Sequence, residues 1–248
     1  MSFELKDVSY TYPPKNEALK NINLKIEDGE FIGIMGDTGS GKSTLVDILS
    51  GLIKPSSGKI ISNNKRVGVV FQFPEKQLFE SSVKKDVSFG LDIKEEKVKE
   101  VLEELGFDYE LIKDRSPLEF SGGEKRKIAL AGVLVRKIDV LILDETFVGL
   151  DLDGREFLIN LLNELNKKGV TIILVSHDGN IIGNNVDRLI YLRDGEIIYD
   201  DSPLNVFLNV DEIKNDVLSL SYLLKEKGIV SSLTIDYKEL LEGIIRHE

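Results

Sequence analysis

Residues 36–43 have the types and spacing needed to bind a phosphate group. They follow the apolar run 31–35 and read, in order, Gly36, Asp37, Thr38, Gly39, Ser40, Gly41, Lys42 and Ser43. The glycines let the backbone curl until successive N–H groups face one anion. The helix predicted for residues 43–49 adds the positive end of its dipole. Lys42 can then reach the β- and γ-phosphates, and Ser43 can ligate Mg²⁺. The alternative, a flexible glycine–serine loop, lacks this flanking strand and helix.

A second apolar strand, predicted for residues 139–145, ends in two carboxylates, Asp144 and Glu145. Acidic residues occur at the carboxyl ends of buried strands when those ends line a site. Asp144 has the position of a residue that holds Mg²⁺. Glu145, one residue further along, could polarise an attacking water. A strand that merely stops at a solvated acidic turn is the alternative, and the phosphate loop disfavours it.

Three further segments could contribute polar groups. Residues 121–124 read Ser-Gly-Gly-Glu at the predicted start of a helix, which is an anion site or an ordinary helix cap. The buried strand predicted for 170–175 is followed by His177, which could be structural or catalytic. The strand predicted for 67–72 ends in Gln72. The other histidine, His247, is assigned no role.

The remaining pattern supplies the elements that position these groups. Short strands are predicted at 3–10, 18–26 and 59–62, and a hairpin turn at Asp194-Gly195. Residues 73–120 are mostly helical, with a helix at 94–105 that Gly106 ends. A helix at 152–168 ends at Gly169. An extension begins at Pro203, with helices near 211–226 and 237–246.

Composition and net charge disfavour several classes of function. The 248 residues suit one large α/β domain with small subdomains, and the net charge of −11 disfavours nucleic-acid binding. The apolar runs are too short to insert into a membrane, and Lys6 and Asp7 interrupt any signal peptide. The chain contains no cysteine, so it forms no disulfide and fits either a cytoplasmic or a thermophilic protein.

In this order the motifs resemble those of the nucleotide-binding ATPases of ABC transporters. The resemblance covers about residues 10–201 and rests on the Walker A motif 36–43, Gln72, the signature 121–124, Walker B 140–145, the D-loop 149–151 and His177. It implies an α/β fold of the P-loop NTPase (RecA-like) class, with a mostly parallel sheet core and a small antiparallel β subdomain. The ATPase domain would span residues 1–202, with a helical subdomain inserted at about 73–120. Residues 203–248 would form a C-terminal helical extension for dimerisation.

The resemblance also implies ATP and Mg²⁺ as cofactors and assigns roles to the site residues. Glu145, His177, Lys42 and Gln72 would be catalytic, and Ser43, Gln72 and Asp144 would hold the metal. Tyr12 would stack on adenine, although packing on the sheet is the alternative. The residues that would contact ATP are Tyr12, Gly36, Asp37, Thr38, Gly39, Ser40, Gly41, Lys42, Ser43, Thr44, Ser121, Gly122, Gly123 and Glu124. In the family, the signature of one subunit caps the γ-phosphate bound to its partner.

The segment after Gln72 gives a finer resemblance. Residues 72–80 and 83–90, together with the extension after Pro203, are similar to the ATPases of energy-coupling factor transporters, which import vitamins, cobalt or nickel. Apolar Phe73, Leu78 and Phe79 lie among charged residues, so the segment 73–80 either packs into the helical subdomain or receives a coupling helix from a membrane-embedded subunit. The chain would then lie on the inner face of the cell membrane through that protein partner.

Departures from the family pattern leave alternatives open. Glu124 and Phe120 replace a common glutamine and leucine, and Thr146-Phe147-Val148 replaces the usual residues after the glutamate. The last change favours a heterodimer with a paralogue over a homodimer. A soluble ABC ATPase of repair or translation type is disfavoured because the chain has neither a coiled-coil insertion nor a tandem domain. A non-hydrolysing subunit is disfavoured because Glu145 and His177 are both present.

Overall fold

Two β-sheets carry the predicted motifs in the computed structural model, which describes residues 1–72 and 77–246. A three-stranded antiparallel sheet has the order β2-β1-β4, and a six-stranded sheet has the order β5-β6-β7-β3-β8-β9. The strands are β1 (Phe3–Tyr12), β2 (Asn16–Ile26), β3 (Phe31–Gly36), β4 (Ser57–Ile61), β5 (Val67–Val70), β6 (Val140–Asp144), β7 (Thr171–Val175), β8 (Arg188–Arg193) and β9 (Glu196–Asp201).

The larger sheet is parallel except for β9, which pairs antiparallel with β8 through the predicted hairpin. Its central strands are continuous apolar runs because both faces are covered. On one face, residues such as Ile34, Ile142 and Ile173 pack with the small sheet. On the other face, alternate residues such as Leu143 and Leu174 pack with helices. This alternation follows the two-residue period of a strand.

Helices connect the strands; the first of them packs with the small sheet on the first face, and the others that join a core pack on the second face. The helices are α1 (Lys42–Leu49), α2 (Val83–Val87), α3 (Glu95–Glu104), α4 (Tyr109–Ile112), α5 (Gly122–Leu134), α6 (Leu152–Lys167), α7 (Gly179–Asn185), α8 (Pro203–Asn209), α9 (Asp216–Glu226) and α10 (Tyr237–Ile245). Across the described ranges, no helix is both long and apolar enough to cross a bilayer.

The inserted helical region agrees with the predicted pattern where it is described. Helix α3 lies within the predicted range 94–105 and buries Val98, Val101 and Leu102 at helical spacing. These side chains share a core with Tyr109, whose hydroxyl donates a 2.8 Å hydrogen bond to Glu95. Part of the predicted coupling segment, residues 73–76, lies outside the described residues.

The C-terminal extension differs in detail from the prediction. A helix predicted from residue 211 begins only at Asp216, because Asn215 caps it by accepting a hydrogen bond from the Leu218 N–H. Helix α8 was not predicted. Its signal is present as Ser202 at the N-cap followed by Pro203 in the first turn. The helix at the chain end, α10, agrees with the prediction.

Candidate active site

Four adjacent strands bring the predicted catalytic groups to one edge of the larger sheet. In the order β5, β6, β7 and β3, their carboxyl ends lead into Gln72, Asp144, His177 and the phosphate loop. The register pairs Asp144 with Val175, and Val175 with Ile34. Ligands of parallel sheets bind outside such carboxyl ends. The topology therefore places residues separated by more than 100 positions at one site.

The backbone of the phosphate loop packs closely against neighbouring backbone at two glycines. A Cβ atom on Gly36 would lie 2.1 Å from the Leu192 carbonyl oxygen, and one on Gly41 would lie 2.5 Å from the Ala18 carbonyl oxygen. Both glycines have positive φ angles, so side chains are excluded by conformation and by space. The hydroxyl of Ser40 is buried and has no hydrogen-bond partner among the described residues. The loop thus offers an unpaired polar group and a tight cradle, as a phosphate ligand requires.

Lys42 folds back over this cradle. Its ammonium donates to the carbonyl oxygens of Gly36 at 2.7 Å and of Asp37 at 2.8 Å. Burial lowers the pKa of Lys42, and the nearby carboxylates of Glu145 and Asp144 oppose that shift. The cation is therefore partly desolvated at the mouth of the loop, where an added phosphate would compensate its lost hydration.

Asp37 turns its side chain away from the loop, toward β8. Its carboxylate accepts a 3.0 Å hydrogen bond from the Tyr191 hydroxyl and lies 3.4 Å from Nε of Arg193. Tyr191 and Arg193 carry no signal of this role in the sequence, because their link to residue 37 depends on β3 and β8 being neighbours. Only the backbone of Asp37 remains in the phosphate loop.

Glu145 and His177 form a pair between β6 and β7. The Glu145 carboxylate lies 2.8 Å from Nδ1 of His177, and the Glu145 N–H donates to the Val175 carbonyl oxygen at 3.0 Å. Glu145 has a φ of 52°, a left-handed conformation that costs a non-glycine residue about 1 kcal/mol. Strain of this kind is characteristic of functional sites. The backbone turn points the carboxylate at the histidine.

Asp144 carries the electrostatic signature of a cation site. Burial raises its pKa to about 6, and the nearby Glu145 and Asp47 carboxylates add to the shift while Lys42 opposes it. An oxygen set of one carboxylate, the Ser43 hydroxyl and the Gln72 amide suits Mg²⁺. The surplus of half-buried negative charge fits a site that a divalent cation would neutralise.

Tyr12 lies beside the phosphate-loop helix. Its hydroxyl is 3.3 Å from the hydroxyl of Thr44, and its ring makes an edge-on contact with Tyr10, with centroids 4.7 Å apart. The tyrosine at the end of β1 is thereby brought beside α1, and its role in stacking on adenine stays a prediction.

Comparisons with known proteins show which family this chain resembles. Residues 19–148 match the protein-family profile described as ABC transporter. The energy-coupling factor transporter ATP-binding protein EcfA2 of Clostridium perfringens is 41% identical, and the alignment covers 100% of this chain and 99% of that protein. The corresponding EcfA of Methanothermobacter thermautotrophicus is 39% identical over 88% of this chain and 76% of its own length.

This chain belongs to the ABC transporter ATP-binding family. Its identity to EcfA2 over the full chain places it with the energy-coupling factor branch, which confirms both predicted resemblances.

Solved structures of the family have the same fold. The cbiO1 protein of C. perfringens, part of the ABC transporter complex cbiONQ, superposes with a TM-score of 0.76 at 34% identity and covers 92% of this chain and 97% of its own. The dimeric cassette MJ0796, bound to ADP and Pi after hydrolysis, gives a TM-score of 0.72 at 29% identity, with 81% and 98% coverage. The predicted α/β P-loop NTPase fold is confirmed.

The ABC signature lies at the start of α5. Ser121 caps the helix in a capping box: Glu124 accepts from the Ser121 N–H and hydroxyl at 2.9 and 2.7 Å, and the Glu124 N–H donates to the Ser121 oxygen at 3.3 Å. These hydrogen bonds lower the pKa of Glu124. Gly122 and Gly123 begin the first turn, in which Gly122 is exposed and Gly123 is half-buried. The signature borders a groove of about 410 Å³ whose other side is the D-loop and α6.

The described part of the segment that follows Gln72, residues 77–80, divides between core and surface. Leu78 is only 4% exposed and packs in the helical core, whereas Phe79 is 62% exposed. The Phe79 ring contacts the Phe89 ring edge-on, with centroids 4.6 Å apart. Both rings border a groove of about 190 Å³ that Arg136 also lines. The predicted alternatives therefore apply to different residues: Leu78 packs inward, and Phe79 lies at the surface.

Two of the three residues that depart from the family pattern after Glu145 are internal. Thr146 is fully buried, and its hydroxyl has no hydrogen-bond partner in the described part of the chain. Phe147 is 3% exposed and joins the core beneath the site. Val148 is 42% exposed, and its carbonyl accepts a 3.0 Å hydrogen bond from Arg126. The two buried residues thus pack below Glu145, whose carboxylate contacts His177.

Proposed function

We propose that this chain is the ATP-binding and ATP-hydrolysing subunit of an ABC importer of the energy-coupling factor type. It drives uptake of a micronutrient through conformational coupling to membrane subunits. The observation that carries the proposal is the Glu145–His177 pair at the same sheet edge as the Lys42 cradle. Hydrolysis of a nucleoside triphosphate requires a phosphate-binding site and, close to it, a carboxylate that can position water.

In the proposed mechanism, the loop 36–43 and Lys42 bind the β- and γ-phosphates of ATP. Ser43, Gln72 and Asp144 would hold Mg²⁺, which supplies charge neutralisation at the phosphates when bound. Glu145 orients or deprotonates the attacking water, and His177 contacts the γ-phosphate while holding Glu145 in place. Rate enhancement then comes mainly from positioning and electrostatic stabilisation.

The active unit is proposed to be a dimer. In it, Ser121, Gly122 and Gly123 of one subunit cap the γ-phosphate held by the partner's loop. Apolar side chains around the D-loop are exposed, with Leu152 83% exposed and Val148 42%. Such surface is expected where a partner packs. Closure on ATP and opening after hydrolysis would provide the mechanical step.

The C-terminal extension, residues 203–248, is proposed to contribute to dimerisation. Helices α9 and α10 expose apolar side chains at helical spacing, which are Leu220, Leu223, Tyr237, Leu241 and Ile245. An apolar stripe on an outer helix is normally covered by another surface. The buried departures at Thr146 and Phe147 favour a paralogous partner, which would give the two ATP sites different surroundings.

The membrane subunit is proposed to dock near the segment 73–80, with Phe79 and Phe89 as its apolar contacts. A helix laid in a small groove with an apolar floor and a charged rim is a common recognition mode. Because the segment follows Gln72 directly, movement of Gln72 at the nucleotide would move the docking surface. This arrangement would hold the chain at the inner face of the membrane through a protein partner.

The test of the proposed activity is Mg²⁺-dependent ATP hydrolysis by the purified chain together with its partner subunits. Lys42→Ala removes the flexible cation at the mouth of the phosphate loop, so we expect ATP binding measured by calorimetry to be lost. Unchanged ATP binding by this variant would contradict the assignment of the loop. A wild-type complex that binds ATP without turning it over would instead indicate a regulatory subunit.

A further inference from the structure

An acidic residue in a phosphate loop needs an explanation. Asp37 is the second residue of a loop whose N–H groups are proposed to surround a triphosphate. Its carboxylate is half exposed, so its charge is only partly screened. Like charges at short range oppose each other even near a protein surface. An unrestrained Asp37 would therefore weaken binding of the anion that the loop is built to hold.

Arg193 restrains this carboxylate and is itself held by the C-terminal extension. Its Nε lies 3.4 Å from Asp37, and its Nη2 donates a 2.8 Å hydrogen bond to Glu212. The two acids use different nitrogens, so Glu212 orients the guanidinium without competing for Nε. Tyr191 donates to the other oxygen of Asp37. The fork of Arg193 thus joins the phosphate loop to the segment between α8 and α9.

The same segment also touches the helix that follows His177. The Asn215 side chain is buried and donates to the Gly179 carbonyl at 3.0 Å, and Asn180 exchanges hydrogen bonds with Asp216 at 2.8 and 2.9 Å. A Cβ atom on Gly179 would lie 2.3 Å from the Lys214 carbonyl, so the two backbones are in direct contact. Residues 212–216, which we name the bridging segment, therefore contact both flanks of the site.

We propose that Arg193 is a positioning residue for nucleotide binding: it holds the Asp37 carboxylate against β8, away from the phosphates, and couples the phosphate loop to the bridging segment through Glu212. The inference rests on the proposed function, because it concerns the affinity of the same loop for ATP. Its consequence is that the C-terminal extension sets ATP affinity in addition to any part that it plays in dimerisation.

The test is a double-mutant cycle on Mg-ATP affinity, measured by calorimetry with the full chain. Exposed ion pairs are worth a few-fold in an equilibrium constant, so we expect Arg193→Gln to weaken ATP binding roughly two- to fivefold. In an Asp37→Asn background, where no carboxylate needs restraint, the same substitution should have little effect. Glu212→Gln should weaken binding about twofold with the wild-type Asp37 and have little effect in the Asp37→Asn background.

Controls separate this role from a structural one. Arg66→Gln breaks a similar ion pair, in which Nε lies 3.1 Å from Asp139. Arg66 directly precedes β5, at the amino end of that strand, so the substitution should leave ATP affinity unchanged. The Asp37–Arg193 coupling should shrink at high salt, since both side chains are partly exposed. A fold defect would lower the unfolding temperature and ATP affinity together, whichever residue occupies position 37.

Each outcome of these measurements either supports or overturns the proposed role of Arg193. Equal weakening by Arg193→Gln in both backgrounds would overturn the proposal, because Arg193 would then act on the nucleotide or the fold directly. No weakening in either background would overturn it as well. An effect of Arg193→Gln without one of Glu212→Gln would remove the link to the extension. A wild-type chain that fails to bind Mg-ATP would overturn the proposed function itself, which the variants do not address.

Discussion

His177 holds Glu145 from the neighbouring strand, with Nδ1 2.8 Å from the carboxylate, although the two residues are 32 positions apart. The contact, together with the left-handed backbone at residue 145, fixes one carboxylate oxygen; under the proposed function, the other would meet the attacking water. Both features follow from β6 and β7 lying side by side, with Asp144 level with Val175.

Glu145→Gln should abolish turnover and retain ATP binding. Glutamine keeps the shape and the contact with His177 but cannot act as a base, so we expect the rate of ATP hydrolysis to fall at least about a hundredfold. The variant should accumulate as an ATP-bound dimer on size exclusion. Glu96→Gln, an exposed acid in α3, is the matched control and should hydrolyse normally. Near-normal hydrolysis by Glu145→Gln would reject the assignment.

Asp144→Asn should stabilise the nucleotide-free protein. Folding raises the pKa of Asp144 from 3.8 to about 6, so its charged form is disfavoured in the folded state. The resulting loss of stability is complete above pH 6 and disappears as the pH falls toward 4. Two pKa units correspond to at most about 3 kcal/mol of unfolding free energy, and partial exposure reduces this.

The measurement for Asp144→Asn is urea unfolding without nucleotide or metal, at pH 8 and at pH 4.5. The variant should exceed wild type in stability at pH 8, and the difference should shrink at pH 4.5. The same substitution should weaken Mg²⁺-dependent ATP binding, because a metal-binding carboxylate is lost. A variant less stable than wild type at pH 8 would show that the buried charge is already compensated.

Ser121→Arg should impair hydrolysis at the partner's phosphate loop. Arginine at this helix cap would fill the space that the γ-phosphate is proposed to occupy and remove the cap. The test is a mixed dimer that combines Ser121→Arg with Lys42→Ala, either in one chain or in opposite chains. With both lesions in one chain, both ATP sites are affected; with one lesion in each chain, both fall on one site and the other remains active. Equal activity of the two arrangements would contradict sharing of sites.

Phe79→Asp should weaken co-purification of the membrane subunit and uncouple transport while leaving ATP binding intact. Phe79 is 62% exposed, so a charge there changes the surface rather than the core. Leu78 is unsuitable for this test because it is buried. Leu111→Asp in α4 is the matched control, since Leu111 is 71% exposed and lies in the same helical region. Normal co-purification and uptake with Phe79→Asp would place the docking surface elsewhere.

The elements that carry the chemistry could be predicted from the order of residues alone. A phosphate loop requires only a strand, glycines with positive φ and a helix start in unbroken succession, and residues 31–49 contain all of them. Likewise, the apolar run before Asp144 predicted a buried strand with acids at its end. Such features act through contiguous backbone, so their pattern is visible locally. The family resemblance added the functional order of the motifs.

The contacts between distant side chains, by contrast, depend on how the strands are arranged in space. Asp37 pairs with Arg193 because β3 and β8 are adjacent, and Glu145 meets His177 because β6 and β7 are adjacent. Leu78 and Phe79 are consecutive apolar residues in a loop, and no period in the sequence distinguishes the buried one from the exposed one. Strand order and loop packing depend on the whole core, so these contacts have no local signal in the sequence.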